Sequence, residues 1–248
     1  MNLITSPHNP HLKELRRLAR KRDRERGGRF VAEGEDLIAA AARARRPALE
    51  GYRLAGSGLG GEDFHDVAAD ALAAVSTLGS GTRVIGVYEQ RWEPAVGPLC
   101  VYLHGVGDPG NVGTILRSAQ AFGASCVAFG PGCADPYSPK AVRASMGAIF
   151  AMPVAHAEAV TDLPGERVAL LAGAGEPLRG IVAQASMTLL VGAEREGLPD
   201  ELVAVCERVA HIPIASESLN AAIAATVALY EVTREASDAP ASSRVRAS

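Results

Sequence analysis

Apolar and polar positions alternate along this chain in two different rhythms. From Leu99 onward, the runs LCVYLHGV, SCVAFG, RVALLAGA, MTLLVGAE and HIPI are short and continuously apolar. Most are released into a polar loop and then an amphipathic stretch: NVGTILRSAQAFG, SPKAVRASMGAIFAM, LPDELVAVC and the alanine-rich segment ending at Glu231. Apolar strand, polar loop, helix, repeated, predicts an α/β domain with a parallel sheet covered by helices on both faces. The first ninety residues read differently. Asn9 and Pro10 form an N-cap and first-turn pair, after which Leu12, Leu15 and Leu18 recur on one face of a helix expected to run to about Arg26 and end at Gly27 and Gly28. RFVAEG, GYRLAG and RVIGVYE read as strands, and EDLIAAAARARR and DVAADALAAV as helices, which together make a small α/β unit. The polar, twice-proline segment RWEPAVGP reads as a linker. The expected division is therefore 1–92, 98–236 and a poorly apolar, disordered tail at 237–248.

With 248 residues at 48% hydrophobic content, the chain is long enough for two cores. No apolar run approaches the roughly 18 residues needed to span a bilayer, and the start has no leader pattern, so a soluble cytoplasmic protein without a membrane partner is expected. Cys100, Cys126, Cys133 and Cys206 show neither CxxC spacing nor nearby histidines, which predicts free thiols and no metal site. The net charge of -3 conceals an asymmetry: residues 1–50 carry 12 basic against 7 acidic side chains, or +5, leaving -8 for the rest. Nine of those bases fall between Lys13 and Arg29. Such density suits a phosphate backbone, and on charge alone it suits a solvated helix face equally.

Three polar loops leave apolar strands: GDPGNVGTILR, VGAEREGL and HIPIASESLN. In an open α/β sheet such loops gather at the carboxyl ends of the strands, where ligands bind. Gly105, Gly107 and Gly110 spell GxGxxG, but the next strand ends in Phe129, Gly130, Pro131 and Gly132 rather than an acidic residue, and Pro109 removes an amide from the turn. Both features argue against a dinucleotide site and a nucleotide-dependent oxidoreductase. Asn111 stamps the apparent start of a helix, with Arg117 six residues on, reaching the same side only through its length. Gly192 and Gly197 flank Glu194 and Arg195 and permit a sharp turn. Ser218 and Asn220 stand where an N-cap belongs, ahead of small residues that would admit a backbone or ligand. Capping, solvated arginines and a surface ion pair would explain each of these residues singly.

Taken together, DPGNVGTILRSA, VGAEREGL and IPIASESLNAAIA resemble the three motifs of the SpoU-type RNA methyltransferases of the SPOUT class, in that family's order, and PYSPKAVRASMGA resembles the segment between the first two. Upstream, ITSPHNPHLKELRRL and RFVAEGEDLIAAA resemble the RNA-binding domain that often precedes the catalytic one, with a fold similar to a small ribosomal protein. The resemblance implies transfer of a methyl group from S-adenosylmethionine to a ribose 2'-hydroxyl of ribosomal or transfer RNA, with no metal. It implies cofactor contacts at Gly192, Ile212 and Leu219, and catalytic roles for Arg117, Asn111, Glu194, Ser218 and Asn220. It also implies RNA contacts from Lys13, Arg16, Arg17, Arg20, Lys21, Lys140 and Arg143, a C-terminal trefoil knot, and a homodimer formed through the knotted region. A non-catalytic RNA-binding protein on the same fold is the alternative.

Overall fold

A computed structural model of the chain describes residues 3–78, 81–179, 181 and 186–238. In chain order the elements are α1 (Pro10–Leu18), α2 (Lys21–Gly27), β1 (Arg29–Glu33), α3 (Glu35–Arg43), β2 (Glu50–Leu54), β3 (His65–Val67), α4 (Ala69–Ala73), β4 (Val84–Glu89), β5 (Leu99–Leu103) and α5 (Pro109–Ala121). Then follow β6 (Cys126–Phe129), α6 (Pro139–Ala144), α7 (Ala148–Ala151), β7 (Val154–His156), β8 (Glu166–Leu170), β9 (Glu176–Pro177), β10 (Met187–Val191), α8 (Asp200–Val203), β11 (Arg208–His211) and α9 (Ala221–Asp238). Two compact units result, one of residues 1–93, 108–117 and 134–153, the other of residues 94–107, 118–133 and 154–248.

The first unit holds a four-stranded mixed sheet in the order β1-β4-β2-β3. Its core joins Leu12, Leu15 and Leu18 of α1 to Val31, Tyr52, Ile85 and Val87 of the sheet, so the leucine stripe packs as its spacing predicts. Asn9 caps α1, its side chain accepting from the His11 amide at 2.9 Å.

The expected single basic helix is two. Arg20 is extended (φ -93, ψ 133), and α2 starts afresh after it. The cause lies in Arg24, which is only 2% exposed. Its guanidinium turns back to donate to the Leu18 and Ala19 carbonyls at 2.9 and 2.8 Å. Those acceptors would otherwise take the next helical amides, so the side chain ends α1 and replaces its continuation. The same guanidinium pairs with Asp135 at 2.6 Å, both groups being nearly buried. The helix expected over SPKAVRASMGAIFAM is also two pieces, because Met146 and Gly147 are left-handed (φ 50 and 95). A Cβ on Gly147 would lie 2.3 Å from that of Ala40 in α3, so the break lets α3 come close.

The second unit is built on a seven-stranded sheet in the order β7-β6-β5-β10-β8-β11-β9, every neighbouring pair parallel. β5, β6 and β10 are buried throughout their lengths, as strands covered on both faces must be. Cys100 and Cys126 are register partners in β5 and β6, buried as free thiols with their sulfurs 3.2 Å apart. The strand read at HIPI sits earlier: β11 ends at His211, beside Pro213, which has no amide to continue the ladder. The segment DVAADALAAV keeps only the short helix α4 and gives its start to β3, which pairs with β2. β7 and β9, three and two residues long, carry no periodicity to read. α9 continues to Asp238, beyond the expected start of the tail, and 239–248 lie outside the described residues. Among the described residues no helix is long and apolar enough to cross a membrane.

The Arg24 and Asp135 pair yields a stability prediction. Asp135→Ala strands a buried guanidinium and is expected to cost roughly 3–5 kcal/mol of unfolding free energy. Lys21→Ala, which removes only an exposed 3.7 Å pair with Glu25, should cost less than about 1 kcal/mol. Urea denaturation of the two variants measures the difference, and equal losses would mean that the buried pair does not hold the first unit together.

Candidate active site

β10 delivers the chain to a hairpin closed by two backbone hydrogen bonds, Ala193 N–H to Gly197 O at 3.2 Å and Gly197 N–H to Ala193 O at 3.0 Å. Glu194, Arg195 and Glu196 form its tip, and all three are exposed. Gly197 is left-handed at φ 68. Gly192 is required by proximity, because a Cβ there would lie 2.2 Å from the Gly197 carbonyl carbon and 2.6 Å from the Leu198 nitrogen. Backbone meets backbone at this point, with no flexible side chain to yield.

β11 delivers the chain to a second loop, 212–219, which ends where Asn220 caps α9. Its Oδ1 accepts from the Ala222 and Ile223 amides at 2.9 and 3.3 Å. Of the two candidate caps, the asparagine is the one used, while Ser218 is exposed on the loop. Behind the cap, Ala221, Ala222, Ala225 and Ala228 are buried, so the alanine-rich face of α9 is the face that packs. Ser118, at the end of α5, shares a 2.7 Å hydrogen bond with Thr226 of α9.

A cavity of about 530 Å³ opens between these two loops and the end of β8. Gly192, Glu194, Ile212, Ser218 and Leu219 line it, which brings five of the eight motif residues together. Asn220 adjoins it as the cap. Leu170, Leu171 and Ala172 form a third wall that sequence reasoning did not single out, since nothing in RVALLAGA separates a lining residue from a strand end. Glu194 and Glu217 line the space against one cation, Arg195, with Glu196 in the hairpin wall, so its charge balance is negative. Val191, Ile212, Ile214 and Leu219 supply apolar wall, and Ile214 is 38% exposed there. Such a mixture suits a ligand with a flat apolar portion and a positive centre.

The first motif lies in the other unit. α5 starts at Pro109, two residues before the expected Asn111, because Asp108 is its N-cap and accepts from the Asn111 amide at 3.0 Å. Pro109 then occupies the first turn, where a missing amide costs nothing. Asn111 is half-buried in that turn, and Arg117 is exposed further along. Lys140 donates to Asp108 at 2.6 Å, and this lysine, with the Asn111 amide, holds the Asp108 carboxyl below its ordinary range. The glycines of GxGxxG prove to do separate tasks. Gly105 (φ 68) gives room to Ala193, whose Cβ a side chain there would meet at 3.2 Å, and Gly110 gives room to Asp108. Gly113 is a contact glycine as well, since a Cβ would meet the Ala141 carbonyl of α6 at 2.4 Å.

Among the cations expected to meet RNA, Lys13, Arg17, Arg20, Lys21 and Arg143 are exposed. Arg16 is partly spent inside the fold, donating to the Pro7 carbonyl at 2.9 Å, and Lys140 is tied to Asp108. No group of three or more metal-ligating side chains occurs among the described residues.

Residues 98–230 match the SpoU rRNA Methylase family, and residues 9–86 match the MRM3-like substrate binding domain. The 23S rRNA (guanosine(2553)-2'-O)-methyltransferase RlmP of Bacillus subtilis (strain 168) is 28% identical over 246 residues, covering 94% of this chain and 99% of its own. The structure of an AdoMet-bound rRNA methyltransferase from Sinorhizobium meliloti aligns with a TM-score of 0.83 at 32% identity, covering 94% of this chain and 98% of that one. AviRb from Streptomyces viridochromogenes, a SpoU methyltransferase solved in complex with AdoMet, aligns with a TM-score of 0.83 at 25% identity, covering 93% and 99%.

Gly192→Ala drives a Cβ into the hairpin backbone and is expected to lower the unfolding free energy by roughly 1–3 kcal/mol. An unchanged urea midpoint would show that the hairpin does not depend on this approach.

Proposed function

The chain belongs to the SpoU rRNA methylase family, and from that membership we propose that it methylates the 2'-hydroxyl of a ribose in ribosomal or transfer RNA, with S-adenosylmethionine as methyl donor. The observation that carries the reading is the cavity of about 530 Å³ enclosed by the 192–197 hairpin, the 212–219 loop and the end of β8. It fits the donor in character: apolar side chains for the adenosine, backbone groups of Gly192, Ile212 and Leu219 for its polar edges, and a carboxylate excess for the sulfonium. Bound there, S-adenosylmethionine supplies a methyl group activated by its positive sulfur.

The remaining work falls to the chain's own residues and is largely positioning, because the hydroxyl must be held in line with the methyl group. A ribose hydroxyl gains negative charge as it attacks, and a permanently protonated guanidinium is suited to stabilise that charge or to clamp the adjacent phosphate. This is the role proposed for Arg117, with Asn111 orienting it or the ribose. Glu194 anchors the hairpin tip at the cavity, and Ser218 hydrogen-bonds the hydroxyl or the donor. Asn220, whose Oδ1 holds α9, acts by fixing Leu219 at the cavity wall.

Residues 1–92 serve in this proposal as the RNA-binding part, with a fold similar to a small ribosomal protein, and 98–236 as the methyl-transfer part. The matches over 9–86 and 98–230 support that division. The C-terminal segment is proposed to thread a trefoil knot and to pair with a second copy of the chain, the protein acting on RNA in the cytoplasm. Ile223 and Tyr230, 54% and 52% exposed on one side of α9, support the pairing. Sedimentation velocity is expected to give a dimer that Tyr230→Asp weakens at least tenfold; a monomer at micromolar concentration would exclude it.

Arg117→Ala is expected to keep the affinity for S-adenosylmethionine in calorimetry and to lose most transfer of labelled methyl to RNA, and full activity would overturn its role. In the same titrations, replacing Lys13, Arg17, Arg20 and Lys21 by alanine should weaken RNA binding and flatten its salt dependence by about one unit of slope per lost phosphate contact. An unchanged slope would remove α1 and α2 from the RNA surface.

A further inference from the structure

Two cavities share the 192–197 hairpin as a wall. The second, of about 340 Å³, is bounded by His104, Gly105, Pro131, Gly132, Glu196 and Pro199 and shares Ala193, Glu196 and Gly197 with the first. None of the motif assignments uses it, and His104 is absorbed neither by the core nor by the methyl-donor site.

Its construction is specific. Gly105 and Gly132 are both left-handed (φ 68 and 75), and a Cβ on Gly132 would lie 3.1 Å from the Gly105 Cα, so bare backbone keeps this part of the wall thin. Pro131 and Pro199 add rigid apolar surface. His104 lies on the same face of the strand exit as Tyr102, whose hydroxyl is 3.3 Å from the His104 Nδ1. Gly130 makes this possible, since a Cβ there would fall 2.0 Å from that hydroxyl. Burial pushes the Tyr102 hydroxyl up to about 12, so it remains protonated and can donate to Nδ1. With Nδ1 accepting from Tyr102, the other ring nitrogen of His104, Nε2, is the one that can donate. Glu196, on the hairpin tip, is an acceptor.

We infer that this second cavity receives the unstacked base of the RNA nucleotide being methylated, His104 donating to a base carbonyl and Glu196 accepting a ring N–H. The inference rests on the methyltransferase reading above, and it adds a preference. Guanine and uracil pair a carbonyl with a ring N–H on their Watson–Crick edges, whereas the ring nitrogen of adenine and cytosine on that edge is an acceptor and would face the carboxylate unpaired. The volume lies at the low end of the roughly 300–1,000 Å³ typical of small-ligand sites, which suits one heterocycle. The base and the methyl donor would then share the hairpin as a common wall.

The test is histidine-selective NMR of the full chain saturated with S-adenosylmethionine, titrated with each of the four nucleoside 5'-monophosphates, the His104 signal being assigned from His104→Gln. GMP and UMP are expected to move that signal with affinities at least tenfold higher than AMP and CMP, and Glu196→Ala should abolish the preference. In methyl transfer to RNA, His104→Ala should lower kcat/KM at least tenfold with S-adenosylmethionine affinity within twofold of the original, and His104→Gln, which restores a donor, should recover part of the loss. A His104 signal unmoved by every nucleotide, equal response to all four, or undiminished kcat/KM in His104→Ala would overturn the assignment. Should the unaltered protein transfer no methyl group to any RNA, the methyltransferase reading falls, while the NMR titration still decides the cavity.

Discussion

The hairpin that walls the candidate site depends on one backbone approach, that of Gly192 to Gly197 and Leu198, closer than any side chain would permit. The candidate site is arranged about it. The approach closes the hairpin, the hairpin makes a wall for two cavities, and the exposed Glu194, Arg195 and Glu196 are carried to that wall by a turn with no freedom to relax. An active site made largely from loops is usually held by side-chain packing around it. Here one constraint on the hairpin is the absence of a side chain at Gly192.

The sequence reveals its architecture unevenly, for physical reasons. Fully apolar strands such as LCVYL and MTLLV are legible because both faces of a parallel sheet are covered, and the order of strand, loop and helix fixes the class. The leucine stripe of α1 is legible because a single helix face, Leu12, Leu15 and Leu18, is buried. Helix ends were not, because they are set by groups distant in the chain or by competition between caps. Arg24 reads as one cation among nine, yet its guanidinium ends α1 and pairs with a carboxylate 111 residues away. Asp108 takes the cap that Asn111 was expected to hold, and Met146 and Gly147 split a stretch of good helical composition to let α3 approach. The three motif loops stood out in the sequence and two of them meet at one cavity. The wall at Leu170 to Ala172 did not, since lining a cavity leaves no mark on an apolar run.

The basic N-terminal stretch shows why charge counts need structure. Of its cations, Arg24 is a buried strut and Arg16 a partial one, while Lys13, Arg17, Arg20 and Lys21 remain on the surface. The acidic balance of the remaining chain likewise resolves into particular tasks. Asp108 caps a helix, Asp135 neutralises a buried guanidinium, and the hairpin and neighbouring loop carry the carboxylates that line the first cavity.

The position of β10 in its sheet has a consequence for how this protein comes into being. β10 lies between β5 and β8, although it is made after both. β5 and β8 are joined in the sheet only through residues 187–191, which pair with both. Parallel pairings between segments so far apart in sequence are slow to form, since a long loop must close before any hydrogen bond rewards it. The last strand to enter the centre is also the one that carries the hairpin. The pairing of β10 therefore carries one wall of the site into the centre of the sheet, and the 212–219 loop, which follows β11, supplies another.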